Sequence, residues 1–328
     1  MRGQLFDIAK VLISLGLIVW VFSRVNLAEV AGQLASANLW LFLAALALYL
    51  VAIAVNGLKW QVLLRAQGVS VPLRAVLEFL FIGFFFNNLL PANVGGDVMR
   101  GYGLARYTER AAAAAVSVIV DRIVGLLAYM STAGLAAIVA VNITGRADLQ
   151  SVEWVAVVAL LVLALGFGTL LSRRLRALIS RFFGWRWLAP LAPIWGRISD
   201  AFNAYRFRYG ALALAFGIAL LGILCTTLVN WLLSQSMQGL MPLMAILLFN
   251  PIIALVLMVP ISIGGIGVSQ NAYPFFYGLA GVPADHALAV SLLMQVVVIL
   301  GGLPGGFFWL RGRRKAGESS HERVPDRG

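Results

Sequence analysis

Four charged residues stand where the surrounding sequence is apolar or built from small residues. Asp97 and Arg100 lie in VGGDVMRGYG, and Asp121 and Arg122 lie in AVSVIVDRIVGLLA. A charge in hydrocarbon is costly, so ionisable residues inside membrane segments mark functional positions by default. Arginine suits a phosphodiester, because its planar fork donates two hydrogen bonds to one phosphate. Arg100 or Arg122 is therefore the expected contact to a lipid phosphate, with Asp97 and Asp121 completing the site. The pair Gly95–Gly96 would permit a tight turn with positive φ and leave backbone N–H groups open to the same anion. The alternative is that each Asp and Arg neutralise one another and pin helices together, as buried pairs do. Asp121 and Arg122 are adjacent, so on a helix they diverge and each needs a partner elsewhere.

Nearby residues carry weaker signals. Arg106 and Arg110 read as interfacial anchors, and Arg74 with Glu78 as an ordinary i,i+4 pair. Asn87 and Asn88 precede the glycine pair and could cap a helix or line a cavity. Asn250 and Pro251 are expected to break the matching later helix. Phe81, Phe84, Phe85 and Phe86 read as lipid-facing bulk.

The elements that must hold these residues follow from composition. The chain has 328 residues, 61% hydrophobic and 12% charged, with a mean hydropathy of +0.92. A soluble domain carries about 25% charged residues, so lipid is the solvent that fits. The net charge of +12 gathers in a few loops, which points to anionic headgroups and away from nucleic acid. Cys225 has no partner for a disulfide, and His286 and His321 lack ligand-spaced neighbours, so neither metal nor cofactor is expected. Phosphate-loop and nucleophile-elbow motifs are missing from the sequence, which argues against an enzyme. The N-terminus shows no small-residue cleavage site after its apolar run and reads as a retained anchor.

A hydrocarbon core about 30 Å thick needs about 20 apolar residues of helix. Runs 8–24, 39–56, 151–172, 209–235 and 285–310 meet that length, and 109–141 does so with Asp121 and Arg122 inside it. Runs 73–90 and 241–259 each end at a proline followed by a glycine pair, while 91–106 and 261–281 are too broken for ordinary spans. Positive charge sets the orientation. Segment 173–208, rich in arginine and bearing Trp185 and Trp187, reads as an amphipathic cytoplasmic linker, and the basic tail 311–328 as cytoplasmic and disordered. Loops 57–74 (Lys59, Arg65, Arg74) and 100–110 also belong inside, and loops 142–150 and 236–241 outside. Both termini are then cytoplasmic, in a bacterial cell inner membrane.

On this assignment 73–106 and 241–281 are hairpins entering from opposite faces. Their tips, LLPANVGGDVMR and MVPISIGGIGVS, match at Pro91 and Pro260, Gly95 and Gly264, and Gly96 and Gly265. Two repeats of opposite orientation follow, about 39–172 and 209–310, within one transmembrane domain of residues 1–310. Inverted repeats with broken helices place substrate sites near the membrane midplane, which adds Gly264 and Gly265 to the candidate site. The expected fold is an all-α polytopic membrane protein of about eight main helices plus two Pro/Gly-broken hairpin segments.

The stretches NGLKWQVLLRAQG, FFFNNLLPANVGGDVMRGYGLAR, VSVIVDRIVGLLA and VPISIGGIGVSQNAYPFFYGLAGVPADHALAVSLL carry a likeness. In their combination and order the chain resembles the lysylphosphatidylglycerol synthase transmembrane region, the flippase-like domain of the bacterial multiple peptide resistance factor and its stand-alone relatives. The resemblance implies a multi-span lipid flippase or related carrier of polar lipids. The family often has an Arg-Glu pair after the second glycine cluster, where this chain has Ser269 and Gln270, and often Glu-Arg where this chain has Asp121-Arg122. The sequence lacks the soluble aminoacyl-transferase domain of the full synthase, so synthase activity is not expected.

The resulting expectation is a flippase-like protein moving a polar, anionic phospholipid headgroup between leaflets. Two rivals stay open: a non-transporting scaffold for a lipid-modifying or glycosyl-transferring enzyme, and a small-solute secondary transporter. The expected partners are membrane lipids, above all an anionic phospholipid, with a second copy of the chain open as another and nucleic acid excluded.

Overall fold

The computed structural model describes residues 27–89, 94–144, 207–258 and 264–321, together with 203–205 and five isolated positions between 158 and 196. The expected spans 8–24 and 151–172, the linker around Trp185 and Trp187, Pro91 and Pro260 lie outside the described residues.

Among the described residues there are nine α-helices and no strands. They are α1 (Leu27–Ala35), α2 (Leu39–Ala66), α3 (Leu73–Leu89), α4 (Val94–Thr108) and α5 (Ala111–Thr144), then α6 (Tyr209–Ser236), α7 (Leu243–Met258), α8 (Val268–Gly278) and α9 (Ala284–His321). Four are long and apolar enough to cross a membrane: α2, α5 over Ala111–Ala136, α6, and α9 over Ala284–Arg311. Only 28% to 44% of each span's apolar window is buried within the protein. The remainder, including Leu43, Leu50, Leu214, Leu221 and Phe307, is apolar surface suited to lipid. The protein is thus an all-α polytopic membrane protein.

The helix order repeats. A shift of 170 residues carries the start of α2 onto α6 and that of α3 onto α7, and a shift of 173 carries α5 onto α9. The packing repeats as well. α3 lies on α9 as α7 lies on α5, α3 on α4 as α7 on α8, and α4 on α5 as α8 on α9. At the centre, α2 packs along its own counterpart α6. The two run antiparallel. The Asn38 N–H donates to the Ser236 carbonyl at 2.6 Å, while at the other end the Tyr205 hydroxyl donates to the Leu63 carbonyl at 3.0 Å. Equivalent helices of opposite direction are what an inverted repeat requires.

Several local expectations need correction. α2 does not stop at residue 56 but continues to Ala66, because Lys59 is buried and so does not mark a loop. Segment 94–108 forms a regular helix despite four glycines, and the glycines are packing positions: a Cβ on Gly96 would lie 2.0 Å from the Gly83 carbonyl, and one on Gly103 2.7 Å from the Phe79 ring. Small residues let membrane helices approach this closely. Phe81, Phe85 and Phe86 face α9 as well as lipid. Phe81 and Phe86 meet Phe308 and Trp309, and the Phe81 backbone and Phe85 ring sit where Cβ atoms on Gly305 and Gly306 would be. α7 passes through Asn250-Pro251 unbroken. α9 extends to His321, so the first part of the expected tail is helical.

As helices, α3 (17 residues) and α7 (16 residues) are about 24–26 Å long, short of the hydrocarbon thickness. Their ends meet inside the bundle: a Cβ on Gly264, just beyond α7, would lie 3.7 Å from the Asn88 carbonyl near the end of α3.

Candidate functional site

The helix α4 carries Asp97 and Arg100 one turn apart, and the three-residue spacing lets the Arg100 Nε donate to Asp97 Oδ1 at 3.0 Å. α5 crosses this face and brings Asp121, whose Oδ2 accepts from the Arg100 Nη2 at 2.9 Å. Its Oδ1 lies 3.2 Å from the Lys59 Nζ, which reaches in from α2. Arg122, next in sequence but pointing elsewhere, pairs through its Nε with Asp97 Oδ2. Sequence adjacency thus separates Asp121 from Arg122, and each finds its partner on another helix. Arg100 also lies over the Trp60 ring, 4.8 Å from its centroid, and the Trp60 indole N–H donates to the Ser117 hydroxyl.

All four charged residues singled out in the sequence belong to this one cluster, and Lys59 makes a fifth. Among the described residues the cluster holds three cations against two carboxylates, a surplus of one positive charge. Lys59, Arg100 and Asp121 are buried, whereas the Arg122 side chain is 38% exposed. The cluster lines a cavity of about 380 Å³ together with Asn56, Asn87, Gly96, Gly125 and Tyr129. Its other wall is Ala254, Leu257 and Met258 of α7.

The glycine pairs play different parts. Gly95 and Gly96 fall inside α4. The Gly96 N–H donates to Asn87 Oδ1 at 2.9 Å, so this amide is not open to an anion. Gly264 and Gly265 do adopt positive φ, +57° and +76°, in the turn before α8. They line a second cavity of about 240 Å³ rather than the charged one. The two cavities share Tyr49, Tyr129, Ala254 and Leu257. Arg74 and Glu78 form the expected exposed pair at 3.2 Å, remote from the cluster.

Lys59 is the residue that sequence reasoning assigned wrongly. Its signal was present: in GLKWQVLL the only polar side chains are Lys59 and Gln61, with apolar residues on both sides and no proline beside them. Counting it as a loop charge hid the partner that Asp121 required. Among the described residues there is no group of side chains able to hold a metal ion.

The Lysylphosphatidylglycerol synthase TM region family matches residues 8–305 of the chain. A UPF0104 membrane protein of Pyrococcus horikoshii is 24% identical over 307 residues, 87% of this chain and 90% of that protein. A UPF0104 membrane protein of Methanothermobacter thermautotrophicus is 32% identical over 96 residues, 29% of this chain and 28% of that protein.

Proposed function

Since this chain belongs to the lysylphosphatidylglycerol synthase transmembrane region family, we propose that it translocates the headgroup of an anionic phospholipid between leaflets. The observation that carries this reading is the cavity walled by three cations and two carboxylates inside an inverted-repeat bundle. An isolated phosphate in hydrocarbon is prohibitively unstable. A cavity with a fixed surplus of positive charge offsets that cost while the headgroup is inside it. Arg122, the most exposed of the three cations, is the group that meets the phosphate, and Arg100 holds both carboxylates in place beneath it. Gly96, Gly264 and Gly265 shape the walls. A scaffold has no use for such a cavity, since buried ionised groups destabilise a bundle unless they serve a purpose. The membrane is the plasma membrane, with the Arg65–Arg74 end of α2 and α3 on the cytoplasmic side.

The test is reconstitution into liposomes containing a fluorescent anionic phospholipid, with an impermeant quencher reporting leaflet exchange. The parent protein should accelerate exchange over protein-free liposomes. Arg122→Gln should slow it about tenfold, equivalent to one charge-assisted hydrogen bond of about 1.4 kcal/mol, and Arg122→Lys should restore part of the rate. Exchange at the protein-free rate in the parent would overturn the proposal.

A further inference from the structure

The two cavities are counterparts under the repeat, yet their chemistry differs. The 173-residue shift that carries α5 onto α9 carries Asp121 onto Met294 and Arg122 onto Gln295. The 169-residue shift of the glycine pairs carries Arg100 onto Ser269. Each of these replacements lines the second cavity. Every charge of the first cavity that has a counterpart here has become neutral.

What replaces the charge is a set of hydroxyls and amides. Among the described residues, the second cavity is lined by Thr226, Asn230, Asn250, Tyr273, Ser291 and Gln295, with no ionisable acid or base apart from tyrosine hydroxyls. Three of them are held rigidly. The Tyr273 hydroxyl donates to Asn230 Oδ1 at 2.7 Å, the Asn230 amide donates to Asn250 Oδ1 at 3.1 Å, and the Asn250 amide donates to the Thr227 hydroxyl at 2.9 Å. Gln295 is different: among the described residues its amide makes no hydrogen bond, and it faces the cavity with two donors and an acceptor available. Tyr49 and Tyr129 stand at the join with the charged cavity and line both.

Amides, hydroxyls and aromatic faces without charge are the groups that recognise a polyol. An ammonium group is held by a carboxylate or by a cage of aromatic faces. Among the described residues the second cavity has no carboxylate. Its tyrosines do not form a cage of its own, since Tyr49 and Tyr129 also line the charged cavity and Tyr273 is tied to Asn230. Asp97 and Asp121 next door cannot serve, because they are outnumbered by Lys59, Arg100 and Arg122. Resting on the headgroup-carrier reading above, we infer that the second cavity takes the uncharged, hydroxylated part of a phospholipid headgroup while the charged cavity holds its phosphate. The lipid class is then an anionic phospholipid bearing glycerol or a cyclic polyol, and excludes zwitterionic or aminoacylated headgroups.

Binding can be read independently of transport. The purified protein in detergent is titrated with phosphatidic acid, phosphatidylglycerol, phosphatidylinositol, phosphatidylethanolamine and lysyl-phosphatidylglycerol, all with the same acyl chains, and bound lipid is counted by native mass spectrometry. Phosphatidylglycerol or phosphatidylinositol should bind at least about fivefold more tightly than the other three, as the net gain of one or two hydrogen bonds allows. Whichever of the two binds better separates a linear from a cyclic polyol. Gln295→Leu should erase that preference while leaving phosphatidic acid binding unchanged, and Gln295→Asn should retain part of it. Equal binding of all five lipids, a preference for either amine-bearing lipid, or an unchanged preference in a folded Gln295→Leu protein would overturn the inference. Selective polyol binding without any leaflet exchange would refute the transport reading instead and leave the polyol site standing.

Discussion

The cluster's arithmetic makes a sharp prediction about folding, because its two kinds of charge are not equally replaceable. Removing Arg100 as Arg100→Gln leaves Lys59 beside Asp121 and Arg122 beside Asp97, two balanced pairs. The losses are the hydrogen bonds of Arg100 to Asp97 and Asp121 and its stacking on Trp60. A hydrogen bond to a charged group contributes about 1.5–3 kcal/mol and a cation–π contact about 0.5–2 kcal/mol. Against this, the glutamine amide can still donate, and losing a buried guanidinium returns its desolvation penalty of several kcal/mol and relieves the positive surplus. A net cost of about 1–3 kcal/mol follows. Asp121→Asn is worse. It removes the carboxylate that faces both Lys59 and Arg100, and it leaves the buried Lys59 ammonium without its carboxylate partner. Breaking a buried pair in this way costs about 3–5 kcal/mol. The double variant Lys59→Met with Asp121→Asn removes both members and keeps the cluster's surplus at one positive charge, so it should recover about 1–3 kcal/mol of coupling. The assay is equilibrium unfolding in mixed micelles, followed by the fluorescence of the tryptophans, Trp60 among them. If Arg100→Gln destabilises as much as Asp121→Asn, or if the double variant is no better than the sum of its singles, the partition of charges described here is wrong.

Two further outcomes follow from the packing. Gly96→Ala and Gly305→Ala each place a methyl 2.0 Å from a backbone carbonyl of α3 and should lower the thermal midpoint by several degrees or abolish folding. Gly217→Ala, with open space around it, should be neutral or stabilise by up to about 1 kcal/mol, and equal sensitivity at all three would refute the close-approach argument. In a Cys225→Ser background, single cysteines at Ala37 and Gln238 should label from one side of the membrane and those at Ser70 and Arg208 from the other, because α2 and α6 are antiparallel. The positive-inside rule assigns Ser70 and Arg208 to the cytoplasmic face. Labelling of Ala37 and Ser70 from the same side would contradict a spanning α2.

The sequence was most legible where lipid dictates it. Starts of α2, α6 and α9 fall within one residue of the expected runs, because a bilayer demands a minimum apolar length and leaves little freedom in meeting it. The four charged site residues could be picked out for the same reason, since nothing but function or pairing retains a charge there. Hydropathy was a poorer guide wherever burial against protein replaced contact with lipid. Lys59 looked like a loop charge because its carboxylate partner, Asp121, lies 62 residues away in sequence. The glycines of α4 looked like breaks because their neighbours on α3, Gly83 and Phe79, are invisible to any local pattern, and nothing local in the 285–310 run announces that Gly305 and Gly306 of α9 meet Phe81 and Phe85. Conformation was legible at Gly264 and Gly265, which do take positive φ, and not at Gly96, where the identical Gly-Gly pair is helical. The same two letters serve backbone freedom in one half and interhelical distance in the other.

That difference bears on how a symmetric architecture could act in one direction. In an inverted repeat the two halves can exchange conformations, so a path open to one face has a counterpart open to the other. Here the two half-cavities share Tyr49, Tyr129, Ala254 and Leu257. If both cavities carried the same charges, a phosphate would gain nothing by choosing between them. With the surplus charge confined to the Lys59–Arg100–Arg122 side, the proposed function gives the phosphate one resting place and the uncharged portion of the headgroup the other. A headgroup spanning the join would then lie with a fixed polarity relative to the bundle. Reversing that polarity by moving the surplus cation alone, through Gln295→Arg in an Arg122→Gln background, leaves Lys59 and Arg100 balanced by Asp97 and Asp121 and should shift the strongest phosphate binding to the second cavity. Photocrosslinking from a lipid with a reactive group beside its phosphate would locate it. Labelling that remained on α4 and α5 would show that the charges of α5 do not by themselves decide where the phosphate sits.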